Sequence, residues 1–376
     1  MRLTHAAAWG IALLAATSMC LRPVDAQLPE LDGRVAVRVG AEPGPIFNGI
    51  TAVAMGPEGG PIVLDGRENT LLAFHTDGSP RGHAGGQGRG PGELTEHTHV
   101  TFRGSTVWAI RWSGQLDGFT LRAESLRFDR RIQLDPRPVQ AFSEFAALPD
   151  GRFARLGSRS SAPALEFYDS LGRMEQFIRL PSLDTLPGVG TVSRPFEGFS
   201  DDSLHVRIPY RPLVMSALAR DGSTAWGVQS EYTIWLRDPD GSVRAVIRRP
   251  TPRLPLTAEE REAGERDLTG HREFVRRERI DLELELPDTR PPLERVWFDV
   301  DGRLWVEWAR PTAAGLRRAD VYSPMGQQLF TATWPADIHL FGNAVRGSRG
   351  WGRMLDEWHV NYLVRVDFVP SSPDQR

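Results

Sequence analysis

Short apolar runs punctuated by Asp-Gly or Gly-Gly recur along the chain. Within each run apolar residues are continuous or alternate with polar ones, a pattern that predicts β-hairpins rather than helices. Residues 50–54 lead to Gly59-Gly60, then to 62–65, 71–74 and Asp77-Gly78. The succession returns at 145–148 with Asp150-Gly151, 152–154, 165–168 and Gly172, and again at 215–218 with Asp221-Gly222, 224–226, 233–236 and Asp240-Gly241. A fourth copy runs through 296–298, Asp301-Gly302, 304–306, 319–322 and Gly326. In each copy the second hairpin glycine follows the first by about twenty residues. Repetition of one supersecondary unit predicts a propeller or another radial array.

Two weaker units complete the set. Residues 97–140 hold one clear hairpin, 100–102 and 107–110 about Gly104, followed by a blurred second one. Residues 338–366 hold three strands, near Ala344, near Trp351 and at 362–366, and need a fourth. The alternating stretch 34–39 at the other end of the chain can supply it, which closes the ring and removes exposed sheet edges. With 183–212 and 256–291 set aside as insertions, residues 34–366 give six units of about 44 residues, within the ~40–45 of four-stranded propeller repeats. Seven units would be tight at about 38. The expected fold is therefore all-β: a six-bladed β-propeller of four-stranded antiparallel blades, residues 34–366, with the N-terminal strand closing the last blade.

The second insertion differs in kind. Thr257-Ala258-Glu259-Glu260 is a capping box that opens a charged stretch to about Ile280. It predicts one or two surface helices over a rim, as a short helical insertion at about 256–291. Residues 367–376 are expected to form a flexible tail.

Composition narrows the chemistry. The 37 glycines and 29 prolines among 376 residues exceed the usual share of about 12% and fit a fold made of many turns. The 45 basic residues are all Arg, and the absence of lysine excludes Schiff-base chemistry and a P-loop lysine. A net charge of −3 speaks against nucleic acid as a partner. At the N-terminus, Met1-Arg2 and the mostly apolar run 6–19 match a secretory signal, with Val24-Asp25-Ala26 before the expected cut, so residues 1–26 are read as a signal peptide. The product is then exported, periplasmic or extracellular. Cys20, the single cysteine, offers a second reading as a lipid-attachment site, but Met19 fits that motif poorly. A membrane is a partner only through Cys20. Without it the mature chain has no disulfide, thiol nucleophile or Cys metal site.

The segment Gly85-Gly86-Gln87-Gly88-Arg89-Gly90-Pro91-Gly92-Glu93-Leu94 superficially suggests a phosphate loop. Such loops precede a helix, whereas residues 97–110 read as strand. A hairpin, this Gly-rich link and then a new strand, together with the closing stretch Asn361-Tyr362-Leu363-Val364-Arg365-Val366, resemble the exported bacterial six-bladed β-propellers of the NHL-repeat-like and TolB-like group. The resemblance covers roughly residues 34–366. It implies a platform for a ligand or a protein, and, from related six-bladed folds, a metal-dependent lactonase or lyase as the alternative.

His97-Thr98-His99 places two imidazoles on one face of a strand, with Glu93 and Glu96 nearby. His97 and His99 are therefore the candidate metal ligands, for calcium or zinc, if another blade supplies a third. The competing reading is a polar strand start at the rim, and no cofactor is expected on it. The turn acids Asp65, Asp150, Asp221 and Asp301 each precede Gly, where Asp favours the turn itself. The chain is expected to act as a monomeric binding module for an unidentified protein or small molecule. A divalent-metal hydrolase or lyase working in the channel is the alternative, and a scaffold using the helical insertion is the third reading.

Overall fold

The computed structural model describes residues 28–40, 44–137, 142–159, 162–181, 190, 192–195 and 203–371. The signal-peptide reading, Cys20, half of the 183–212 insertion and the last five residues lie outside them.

After β1 (Glu30–Val39), four free-standing four-stranded antiparallel sheets follow in chain order. They comprise β2 (Ile50–Met55), β3 (Pro61–Asp65), β4 (Thr70–Phe74) and β5 (Pro80–Gly85), then β6 (His97–Arg103), β7 (Thr106–Arg111), β8 (Gln115–Arg122) and β9 (Ser125–Gln133). The third holds β10 (Phe142–Ala147), β11 (Phe153–Arg159), β12 (Ala162–Tyr168) and β13 (Met174–Arg179). A two-stranded ribbon, β14 (Val192–Pro195) and β15 (Ser203–Val206), precedes the fourth: β16 (Val214–Leu218), β17 (Thr224–Val228), β18 (Tyr232–Arg237) and β19 (Val243–Arg249). The short pair β20 (Leu254–Pro255) and β21 (Thr289–Arg290) brackets helix α1 (Ala258–Arg277). Then come β22 (Leu293–Phe298), β23 (Leu304–Trp308), β24 (Leu316–Tyr322), β25 (Gln328–Pro335), β26 (Ile338–Arg346), β27 (Arg349–Leu355) and β28 (Asn361–Pro370).

Six separate four-stranded sheets were expected; the described residues form four, and the other eight strands join in one sheet ordered β22-β23-β24-β25-β1-β28-β27-β26. Pairing on both edges of β1 is the physical reason. Residues 31–39 pair antiparallel with β28, so the N-terminal strand does lie beside the last three. Its first residues, Glu30 to Asp32, also pair parallel with Thr331 to Thr333 of β25. Leu31 and Asp32 pair on both edges, with β28 on one side and β25 on the other, so the start of the strand laces two four-stranded groups together.

The strands that open these groups, β2, β6, β10, β16, β22 and β26, each lie against the next, and the cycle closes from β26 to β2. Apolar clusters fill the wedges between neighbouring groups, for example Ala54, Leu64, Val100 and Val107 between the first two sheets, and Ala225, Ile234, Val296 and Leu304 further round. Burying each Val, Leu or Ile among them contributes about 1.5–3 kcal/mol. The sheets therefore stand as radial fans about an axis: a β-propeller. The turns follow the expected chemistry; Gly222, at φ 90°, takes the left-handed corner after Asp221, whose carboxylate accepts the Ser223 N–H at 2.8 Å.

One helix forms in the insertion, not two. Thr257 and Glu260 cap it reciprocally, and Leu268 and Val275 pack with Val206, Ile208, Leu282 and Leu284 into a small separate core. A Cβ at Gly264 would come within 2.9 Å of the tip of Leu286 and 3.2 Å of the Tyr210 ring, so a larger residue there would have to push Leu286 aside. None of the described helices is long and apolar enough to cross a membrane. The blurred second hairpin of the second unit is a regular pair, β8 and β9, joined through Ala123-Glu124 rather than a glycine.

Candidate functional site

Antiparallel alternation sends the start of every opening strand, and every turn from the second to the third strand, to one end of the ring. The α1 insertion and the chain before β16 enter at that end too, between opening strands. They cover part of it as a cap, anchored where Arg290 and Arg310 donate to Glu260 at 2.7 and 2.6 Å. Burial would push the Glu260 carboxyl up, but these bonds and the Thr257 N–H hold it down at about 2.

Beneath lies the axial channel, a cavity of about 500 Å³ walled by all six opening strands, which present Thr51, His99, Glu144, Ser216, Arg295 and Asn343. Beside the cap, an open basin of about 950 Å³ is lined by Arg67, Glu96, Trp112, Arg353, His359 and Asn361. Thr51 and Thr98 line both cavities. Basin and channel thus form one funnel, with these threonines at the neck.

The electrostatics of the funnel are unusual. Arg295 donates from Nε to Glu307 at 2.7 Å and from Nη2 to the Leu340 carbonyl at 2.9 Å, and its Nη1 lies 3.2 Å from His339 Nε2. Glu307 is buried and also accepts from Arg317 at 2.5 Å. Burial, then the nearby Arg295, Arg353 and Arg317, push His339 down to about 3, so its ring is neutral and accepts from Arg295. Glu144 is half-buried and has no hydrogen-bond partner among the described residues. Burial pushes its carboxyl up to about 7, against the pull of Arg295. A carboxyl that titrates near neutrality inside a cavity can donate or accept a proton at working pH.

Trp112 forms part of the basin wall with its ring half exposed, and its indole N–H donates to Glu96 Oε2 at 3.0 Å. Arg111 donates to the same oxygen at 3.2 Å. These bonds, Trp112 first, hold Glu96 below the usual carboxylate range. Arg207 faces the channel between Val206 and Ile208, which are buried under α1. The alternation of that segment turns a guanidinium to the cavity while its neighbours hold the cap.

The two histidines expected to share a face are separated. A bulge between His97 and His99 in the β6–β7 ladder breaks the two-residue period. His97 is buried; its Nε2 lies 2.9 Å from Asp117 Oδ2 and its Nδ1 accepts the Thr95 N–H at 3.1 Å. His99 stands in the channel wall with Nδ1 2.9 Å from Thr98 Oγ1. Among the described residues no three His, Cys, Asp or Glu side chains converge in a metal-holding group. Glu144, Arg295, His339 and Arg207 were not singled out in the sequence. For Glu144 and Arg295 the signal is a charged residue within a largely apolar opening strand, Phe142–Ala147 and Leu293–Phe298; Arg207 lies in no opening strand.

No protein-family model and no curated protein sequence matches the chain. Among solved structures it is similar to virginiamycin B lyase from Staphylococcus aureus, at 11% identity over 85% of this chain and 95% of that one, with a TM-score of 0.43. BamB from Moraxella catarrhalis gives 12% identity over 91% and 92%, TM-score 0.38. The Cps50 (Swd1) β-propeller domain of Myceliophteria thermophila gives 11% over 89% and 99%, TM-score 0.41. These likenesses assign the chain no activity, ligand or partner; its own ring of sheets makes it a β-propeller.

Proposed function

We propose that the chain is an exported six-bladed propeller of the NHL-like and TolB-like kind that binds a ligand in the funnel. The eight-stranded sheet then counts as two blades, a reading supported by six opening strands in one cycle. Export is supported by the apolar run 6–19 and the small residues before position 27. The observation that carries binding is the continuity of basin and channel at Thr51 and Thr98, partly capped, with Arg and Trp at its mouth. Large concave sites with a few convergent polar groups are the usual form of small-molecule sites. Thr51 is exposed, so Thr51→Trp narrows the neck without touching a core. Protein equilibrated with an extract of the exported fraction is expected to retain a compound, seen by mass spectrometry, that Thr51→Trp does not retain. Equal retention by both contradicts the reading.

A hydrolase or lyase in the same channel is the second reading. It draws on Glu144, whose carboxyl titrates where a general acid–base group works best. Calcium and zinc content of the purified protein decides its metal-dependent form.

A further inference from the structure

We propose that the funnel takes a small organic anion, a carboxylate or a phosphate ester, drawn in by Arg67, Arg353 and Arg207. This rests on the ligand-binding reading above and adds the chemical class. Four guanidinium groups line the two cavities, those of Arg67, Arg207, Arg295 and Arg353. The side chains of Arg67 and Arg207 have no hydrogen bond or ion pair among the described residues, and both residues are exposed. The lining acids do not balance them. Glu96 is held by Arg111 and Glu294 lies 3.9 Å from Arg290, so cations outside the lining already compensate both. Glu144 remains, and its carboxyl is in part protonated at neutral pH. Burial first, and then the charges of Arg295, Arg353 and Arg317, depress the titration of His339, so His339 adds no imidazolium to compete with them.

A half-desolvated cavity with uncompensated guanidinium groups favours an anion over a neutral isostere, because charge-assisted hydrogen bonds are roughly twice as strong as neutral ones. Glu144 then sets the pH dependence. The groups facing it are His99 of β6, Glu294 and Arg295 of β22, His339 of β26 and Arg207 of the cap. Ionisation of Glu144 opposes an anion, so affinity falls as pH rises through about 7. Apolar walls at Val53, Val100 and Met215 suit a compact organic body behind the charged head.

Benzoate, phenyl phosphate and benzamide share a ring and differ in the head, and calorimetry on the full chain compares them. Benzoate or phenyl phosphate is expected to bind at least about ten-fold more tightly than benzamide, and the tighter of the two identifies the head. Arg207→Gln is expected to weaken it by about ten-fold. Benzoate, which stays ionised throughout, is expected to bind more tightly at pH 6 than at pH 8 in the wild type and equally in Glu144→Gln. Equal affinity for benzamide, with all three lost in Thr51→Trp, overturns the anionic class while leaving the funnel a ligand site. No binding of any probe also overturns it, and the extract comparison decides the ligand-binding reading separately.

Discussion

His97 and Asp117 form a closed buried pair: imidazole Nε2 and carboxylate Oδ2 lie 2.9 Å apart. Asp117 also accepts from Arg131 Nε at 2.6 Å and Gln115 at 2.8 Å. Burial alone would push its carboxyl up, but the bonds from His97, Arg131 and Gln115 outweigh it and hold it below the usual value. Comparable buried acids recur round the ring. Glu166 accepts from Arg155 and Tyr168, and Asp320 accepts from Tyr232, Arg249 and Trp308. Tyr232 and Arg249 belong to the preceding sheet, so Asp320 pins two sheets together.

Asp117→Ala is therefore expected to destabilise the protein by about 3–5 kcal/mol, because it leaves His97 and Arg131 without their acceptor. The stabilisation is present above the ordinary aspartate value and is lost as pH falls through the depressed one. Urea unfolding at pH 7 and pH 3 measures both; a loss under about 1 kcal/mol at pH 7 contradicts the role given to this pair.

Tyr232→Phe keeps the packing and removes one hydroxyl, which donates to Asp320 at 2.8 Å and lies 2.9 Å from Tyr322 Oη. The expected cost is about 1–3 kcal/mol in chemical unfolding, since a buried acceptor loses a donor. Unchanged stability would contradict this cost, because Arg249, Trp308, Gln328 and Thr331 would then satisfy the carboxylate without the tyrosine.

Glu144 has the opposite pH signature. Its folded value, about 7, lies above the ordinary glutamate value of 4.5, so its contribution is intact below about 4.5 and is lost as pH rises through 7. Glu144→Gln removes that penalty and is expected to raise stability by about 2 kcal/mol at pH 8, with little change at pH 5. Thermal unfolding at the two pH values measures this, and an equal effect at both contradicts the titration assigned to the channel.

The cap should loosen independently of the ring. Glu260→Gln weakens the bonds to Arg290 and Arg310 and is expected to speed hydrogen exchange across residues 258–277 while leaving β22 and β23 unchanged. The same loosening is expected in the wild type as pH falls toward 2, where Glu260 protonates.

The hairpins were legible because Asp-Gly punctuates them and because alternation survives wherever one face is buried. The capping box at Thr257 gave the helix start for the same local reason. What was not legible is long-range. Nothing local shows that the start of β1 would pair with β28 on one edge and β25 on the other, and the bulge that parts His97 from His99 depends on the partner strand. The β8–β9 hairpin reads as blurred in the sequence because Ala123-Glu124 replaces the expected glycine. The channel residues lie hundreds of positions apart and meet only when the ring closes. The local trace two of them leave is a charge inside a largely apolar strand, Glu144 in β10 and Arg295 in β22.

The central claim, a ligand held on the ring axis and reached from the uncapped part, is tested most directly by hydrogen exchange before and after equilibration with the exported-fraction extract. Slower exchange is predicted in the opening strands, around residues 50–53, 98–100, 214–218, 294–298 and 339–343. Slowing confined to the outermost strands, or to the solvent side of α1, would contradict the claim and favour a scaffold that meets its partners on the rim.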